Sequence, residues 1–182
     1  NGIQYSDSFC FNPHKTLGTP LSTSVFIVKN KQDLYNSFNQ KADYLYQTED
    51  NDYNLGQMSF ECGRRNNALK FWTLWKYNGT DGISKMVDHN YSLADFARNY
   101  ITNNPDYKLY SYENSLSICF NYKNIDPKIL CNELYNHNQL MVGYGSHKNK
   151  EFVRLVSINR ENTKNDILNF FKVLEKFVED NF

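Results

Sequence analysis

The chain has 182 residues, enough for one domain with a real core or for one medium and one small domain. Its 20 basic and 20 acidic side chains cancel, which leaves no electrostatic footprint for nucleic acid or an anionic membrane. No apolar stretch is long enough to cross a bilayer, and the opening "NGIQYSDSF" lacks the basic start and apolar middle of a signal peptide. With 14 Tyr and 13 Phe the composition predicts a packed globule, since aromatic side chains bury large areas. Cysteines stand at 10, 62, 119 and 131 with no C-x-x-C pair, a spacing that fits neither a zinc site nor a small disulfide scaffold. Reduced thiols in a cytoplasmic protein are the expectation.

In chain order, "STSVFIVK" (22–29) is a β-branched and aromatic run that predicts a strand. "KNKQDLYNSFNQ" then places Leu34, Tyr35 and Phe38 on one face of a short helix. Residues 40–62 are polar, acidic and without sustained period, the character of a binding loop or lid. "RRNNALKFWTLWKYNG" repeats Leu69, Phe71, Trp72 and Trp75 at helical spacing and predicts a well-buried helix closed by Gly79. A second helix is expected at 83–101, with Met86, Val87, Tyr91, Ala94, Phe96, Ala97 and Tyr100 apolar. "NNPD" (103–106) then breaks the pattern.

The rest reads as strands at 107–112 and 115–122, a helix at 127–137, strands at 139–144 and 152–158, and a helix at 163–180. Asn162 or Thr163 would be the N-cap of that last helix, and Ile167, Leu168, Phe170, Phe171, Leu174 and Phe177 its buried side. Strand pairs followed by helices imply an α+β sandwich, with helices on one face of a small antiparallel sheet. The expected boundary divides 1–103 from 104–182. The first part has too little sheet to cover Trp72 and Trp75.

"FNPHKTLGTP" (11–20) puts Lys15 at the end of a constrained, half-buried turn. An amine there can serve as a Schiff-base nucleophile, because partial desolvation favours the neutral form that attacks a carbonyl. The string alone fits a surface lysine in a proline turn more readily. Asn12 and His14 are candidate phosphate donors beside it.

"SDSFCFNPHK" resembles the cofactor-lysine segment of the group II pyridoxal-phosphate decarboxylases, and the likeness continues in order along the chain. "ADYLYQ" (42–47) is similar to the start of their mobile catalytic loop, and "CGRRNNALKFWTLWKYNGTDG" (62–82) to the run after it. "LSICFNY", "LMVGYG" and "EFVRLVSIN" are similar to strands of their C-terminal domain. The likeness is greatest to the glutamate and cysteine-sulfinate branch.

The resemblance implies an α/β fold: the C-terminal part of a fold type I PLP-dependent transferase-like large domain, followed by a small α+β domain. It implies that Lys15 holds pyridoxal 5′-phosphate covalently and that His14 and Asn12 line the cofactor near its phosphate. Tyr44 would supply the proton to the substrate carbon after CO2 leaves, and Arg154 would pair with a substrate carboxylate. Arg154 lies among Phe152, Val153, Leu155 and Val156, so a solvent-facing residue on an edge strand is the alternative. Implied partners are an amino acid substrate, a second copy in a homodimer, and an upstream N-terminal part of the same enzyme, without which the chain is expected to be inactive. Neither metal, nucleic acid nor membrane is implied. The leading expectation is α-decarboxylation of glutamate, aspartate or cysteine sulfinate. Aromatic or diamino acids are the alternative substrates, and a non-catalytic interaction module on the same scaffold is the alternative class.

Overall fold

The computed structural model describes residues 2–38, 55–59, 63 and 65–182. The chain divides into two compact units, Asn1–Asn78 and Gly79–Phe182.

In the first unit β1 (Ser8–Phe11) pairs antiparallel with β2 (Val25–Val28), with Ser8 opposite Val28 and Phe11 opposite Val25. Between them α1 (Pro13–Thr16) makes a single turn that opens on Pro13, where a missing N–H costs no helical bond. β2 lies inside the strand expected at 22–29, whereas β1 is new. Its four residues are too few to show a period against the proline that follows. α2 (Lys31–Phe38) follows, with Leu34, Tyr35 and Phe38 half-buried as its spacing predicts.

α3 (Asn67–Thr102) starts the helix expected after the loop, but that helix is not well buried. Trp72 is 60 % exposed and Leu69 53 %. Phe71 packs edge-on against Phe11 and Trp75, yet two strands offer too little surface to cover the rest of the apolar stripe. At Gly79 the helical backbone breaks (φ 68°, ψ 173°). Glycine takes this left-handed conformation freely, where another residue would lose about 1–2 kcal/mol.

The second unit begins with the remainder of α3. Leu93, Ala94, Ala97 and Ile101 recur at helical spacing and share one core with Ile118, Phe120 and Val153. That shared core ties the helix from Leu93 onward to the sheet within the unit Gly79–Phe182. Tyr91, one of the apolar residues of this stretch, is exposed. β3 (Tyr107–Leu109), β4 (Ser117–Tyr122), β5 (Gly143–His147) and β6 (Lys150–Val156) form an antiparallel sheet in the order β3-β4-β6-β5. β5 starts later than the strand expected at 139–144. Leu140 and Val142 reach the core from irregular backbone, and the strand ends at a tight turn with Lys148 and Asn149 both at positive φ.

α4 (Pro127–Asn136) is capped by Asp126, whose side chain accepts from Lys128 N and Ile129 N. α5 (Lys164–Asn181) opens on a reciprocal capping box between Thr163 and Asp166. These bonds hold the Asp166 carboxyl below its ordinary pKa. Leu130 and Leu134 of α4 and Ile167, Phe171, Leu174 and Phe177 of α5 cover one face of the sheet. Among the described residues no helix is long and apolar enough to cross a membrane.

Tyr100 and Tyr107 both donate to Glu175 Oε1, at 2.8 and 3.0 Å. Burial first, then the Glu175 hydrogen bond, pushes the Tyr100 phenol up to about 12. Burial and the Glu175 charge push Tyr107 up as well. Burial alone lifts the Cys131 thiol to about 11. Each group is an acid kept neutral by the fold, so its contribution is complete below its ordinary pKa and disappears as pH rises through the folded value. Melting temperature, followed by circular dichroism, is therefore expected to decline steadily from about pH 9 towards pH 12. Absorbance at 295 nm should show Tyr107 ionising together with unfolding. A flat melting temperature across that range would contradict these burials.

Candidate active site

The Lys15 turn is built from buried neighbours and exposed chemistry. Pro13, Leu17, Thr19 and Thr23 are buried, while the Lys15 side chain is exposed. The turn is thus half-buried through Pro13 and Leu17, while Lys15 itself is exposed. Lys15 N donates to Asn12 O at 3.0 Å and Thr19 N to Pro13 O at 3.1 Å, so the turn is closed on itself. Pro13 fixes φ at the start, and Gly18, at φ 68°, allows the chain to reverse after Leu17.

A second segment braces the first. Ser24 Oγ donates to Asn12 Oδ1 at 2.5 Å. His14 Nδ1 meets the Thr23 backbone twice, the carbonyl oxygen at 2.5 Å and the amide nitrogen at 3.1 Å. Thr23 Oγ1 in turn donates to Pro20 O at 2.9 Å. Among the described residues, no group bonds Asn12 Nδ2, His14 Nε2 or Lys15 Nζ. Three nitrogen groups on one turn are thus free for a ligand, and the one primary amine among them can form an imine with an aldehyde. The set fits a phosphorylated aldehyde when His14 Nδ1 accepts from Thr23 N–H, which leaves Nε2–H as a donor beside the Asn12 amide.

Sequence reasoning placed Asn12, His14 and Lys15 together, and the fold does the same. It missed Thr23 and Ser24, which were read only as the start of a strand. The visible signal was the cluster Thr-Pro-Leu-Ser-Thr-Ser, which marks a turn ahead of β2. Tyr44 and the loop start fall outside the described residues.

Arg154 belongs to the second unit. β6 is paired on both sides, opposite Cys119 of β4 and Gly143 of β5, so Arg154 is not on an edge strand. Its neighbour Val153 is fully buried under the helices, and alternation turns Arg154 to the opposite, uncovered face. There Nη2 donates to Ser117 Oγ at 3.0 Å, and among the described residues no carboxylate pairs with the guanidinium. Burial raises the Cys119 thiol above its ordinary pKa, and the Arg154 charge partly offsets this. Among the described residues no cluster of His, Cys, Asp or Glu could hold a metal ion.

Comparison with known proteins puts these features in a family. The acidic amino acid decarboxylase GADL1 of Mus musculus is 30 % identical over 92 % of this chain, which spans 34 % of that protein. The L-aspartate decarboxylase dtxS4 of Metarhizium robertsii is 31 % identical over 66 % of the chain and 25 % of its own length. Among solved structures, mouse CSAD superposes with a TM-score of 0.81 at 25 % identity, over 97 % of this chain and 40 % of the other. The tryptophan decarboxylase of Catharanthus roseus, solved with L-tryptophan, superposes with a TM-score of 0.84 at 16 % identity, over 99 % and 38 %. The latter shows the fold alone. The chain therefore spans between about a third and two fifths of the length of GADL1, CSAD and the tryptophan decarboxylase. Its architecture is that of the α/β, fold type I decarboxylases, as the resemblance implied. The sequence profile of the pyridoxal-dependent decarboxylase conserved domain matches residues 1–123, and the chain belongs to that family.

Proposed function

We propose that the protein acts as a pyridoxal-phosphate-dependent α-decarboxylase of an acidic L-amino acid, releasing the amine and CO2. The observation that carries this reading is the braced turn with three nitrogens that have no partner among the described residues, Asn12 Nδ2, His14 Nε2 and Lys15 Nζ. When bound, the cofactor supplies an electron sink for the bond that breaks. Lys15 anchors it covalently, and Asn12 and His14 hold its phosphate. Arg154 binds a carboxylate of the substrate, which explains a guanidinium with no carboxylate partner among the described residues on an uncovered sheet face. Tyr44 would deliver the proton to the substrate carbon after CO2 departs.

The remaining length of the relatives supports a second part of the proposal. The open groove between β2 and α3 has Val25 and Phe26 on one wall and Phe71, Trp72 and Trp75 on the other. The polypeptide corresponding to the rest of the relatives' length covers this apolar surface, and activity requires it. The working enzyme is a cytoplasmic homodimer.

The substrate reading is tested with the full-length protein and a panel of amino acids assayed for CO2 release. Glutamate, aspartate or cysteine sulfinate should be preferred over aromatic and diamino acids. Arg154→Ala should cut kcat/KM for the acidic substrate by roughly 10- to 100-fold, mainly through KM, as expected for loss of a charge-assisted hydrogen bond. Preference for an aromatic substrate, or no effect of Arg154→Ala, would overturn the assignment.

A further inference from the structure

A primary amide beside an anion can help or hinder, because it carries an acceptor oxygen on one side and two N–H donors on the other. In this turn the choice is already made. Ser24 Oγ donates to Asn12 Oδ1 at 2.5 Å, which occupies the acceptor, while Nδ2 keeps no partner among the described residues. Ser24 is itself placed by Thr23, which is 2 % exposed and held through Pro20 O. The same two-residue segment therefore grips both neighbours of the lysine, His14 through the Thr23 backbone and Asn12 through the Ser24 hydroxyl.

We propose that Ser24 is a positioning residue for cofactor phosphate, fixing the Asn12 side chain with its donor edge outward. This rests on the reading that Lys15 holds pyridoxal phosphate. Without the Ser24 hydroxyl the amide is free to rotate, and the rotated form turns Oδ1 towards the phosphate oxygens. Ser24 has no part in binding the pyridine ring or the aldehyde, so its effect is specific to the phosphate.

The test titrates the cofactor-free full-length protein with pyridoxal phosphate and, separately, with pyridoxal. Ser24→Ala should weaken pyridoxal phosphate binding roughly 10- to 100-fold, the scale of one hydrogen bond to a charged group. Pyridoxal affinity should stay as in the parent, and borohydride should still label Lys15. Ser24→Thr, which keeps the hydroxyl, should restore binding. On an Asn12→Ala background Ser24→Ala should cause no further loss, because the two act as one unit. Equal losses for pyridoxal and its phosphate would reduce Ser24 to a structural brace and overturn the proposal, as would an unchanged affinity for both. Absence of label at Lys15 in the parent protein would instead overturn the reading on which the proposal rests.

Discussion

Lys15→Ala is expected to abolish borohydride-reducible labelling of the full-length protein by pyridoxal phosphate and to lower decarboxylation by roughly 10³-fold or more. That is the scale seen when one member of a concerted catalytic set is removed. Peptide mapping of the labelled parent protein should place the label on the peptide that contains Asn12–Pro13–His14–Lys15. The expectation rests on local geometry: among the described residues the Lys15 amine has no hydrogen-bond partner, and it sits on a turn closed by its own backbone hydrogen bonds and anchored by buried Pro13 and Leu17. Lys15→Arg should fail equally, because a guanidinium keeps the charge and is not deprotonated. Tyr44→Phe separates the two proposed roles: it should retain the label while losing turnover. Label on any other lysine would remove the basis for the whole functional account.

The largest loss of stability is expected from Phe171→Ala. Phe171 is fully buried on α5 and stacks on Tyr100, with ring centroids 4.3 Å apart. It also meets Tyr107 at 5.6 Å, Phe120 at 5.9 Å and Phe170 at 5.3 Å. Truncation removes the apolar transfer term and leaves a void among rings that cannot collapse without leaving their rotamers. The cost should be about 3–5 kcal/mol, read as a lower midpoint of denaturation in urea. Near-ultraviolet circular dichroism should weaken at the same time, since four of the packed neighbours are aromatic. A loss below about 1 kcal/mol would mean that the ring cluster is not the core of the second unit.

The legible parts of the fold were those in which one residue pattern met one physical demand. Ile167, Phe171, Leu174 and Phe177 on α5 followed from helical spacing, and its start from the Thr163 cap. The single-turn α1 and the four-residue β1 were too short for a period to emerge. β5 was misplaced because Leu140, Met141 and Val142 look like strand but precede it. The first half of α3 shows what spacing alone does not reveal. An apolar stripe demands a cover, but the sequence of the stripe does not say whether the cover lies in the same unit. Asn12, His14 and Lys15 in the first unit were singled out by residue type and by resemblance, and Arg154 in the second by resemblance. Their supports Thr23, Ser24 and Ser117 were not, because hydroxyl residues are common and acquire a role only when the fold brings them opposite a particular amide, imidazole or guanidinium.

The ribbon of β1 and β2 has one further consequence. Each strand bonds only its mate among the described residues, so the outward-facing amide and carbonyl groups of both remain available to any extended chain that drifts alongside. Phe9, Phe26 and Ile27, all largely exposed on that ribbon, would make such an encounter adhesive. An uncovered two-stranded ribbon of this kind is expected to self-associate, so raising protein concentration should promote aggregation through it unless its edges are covered.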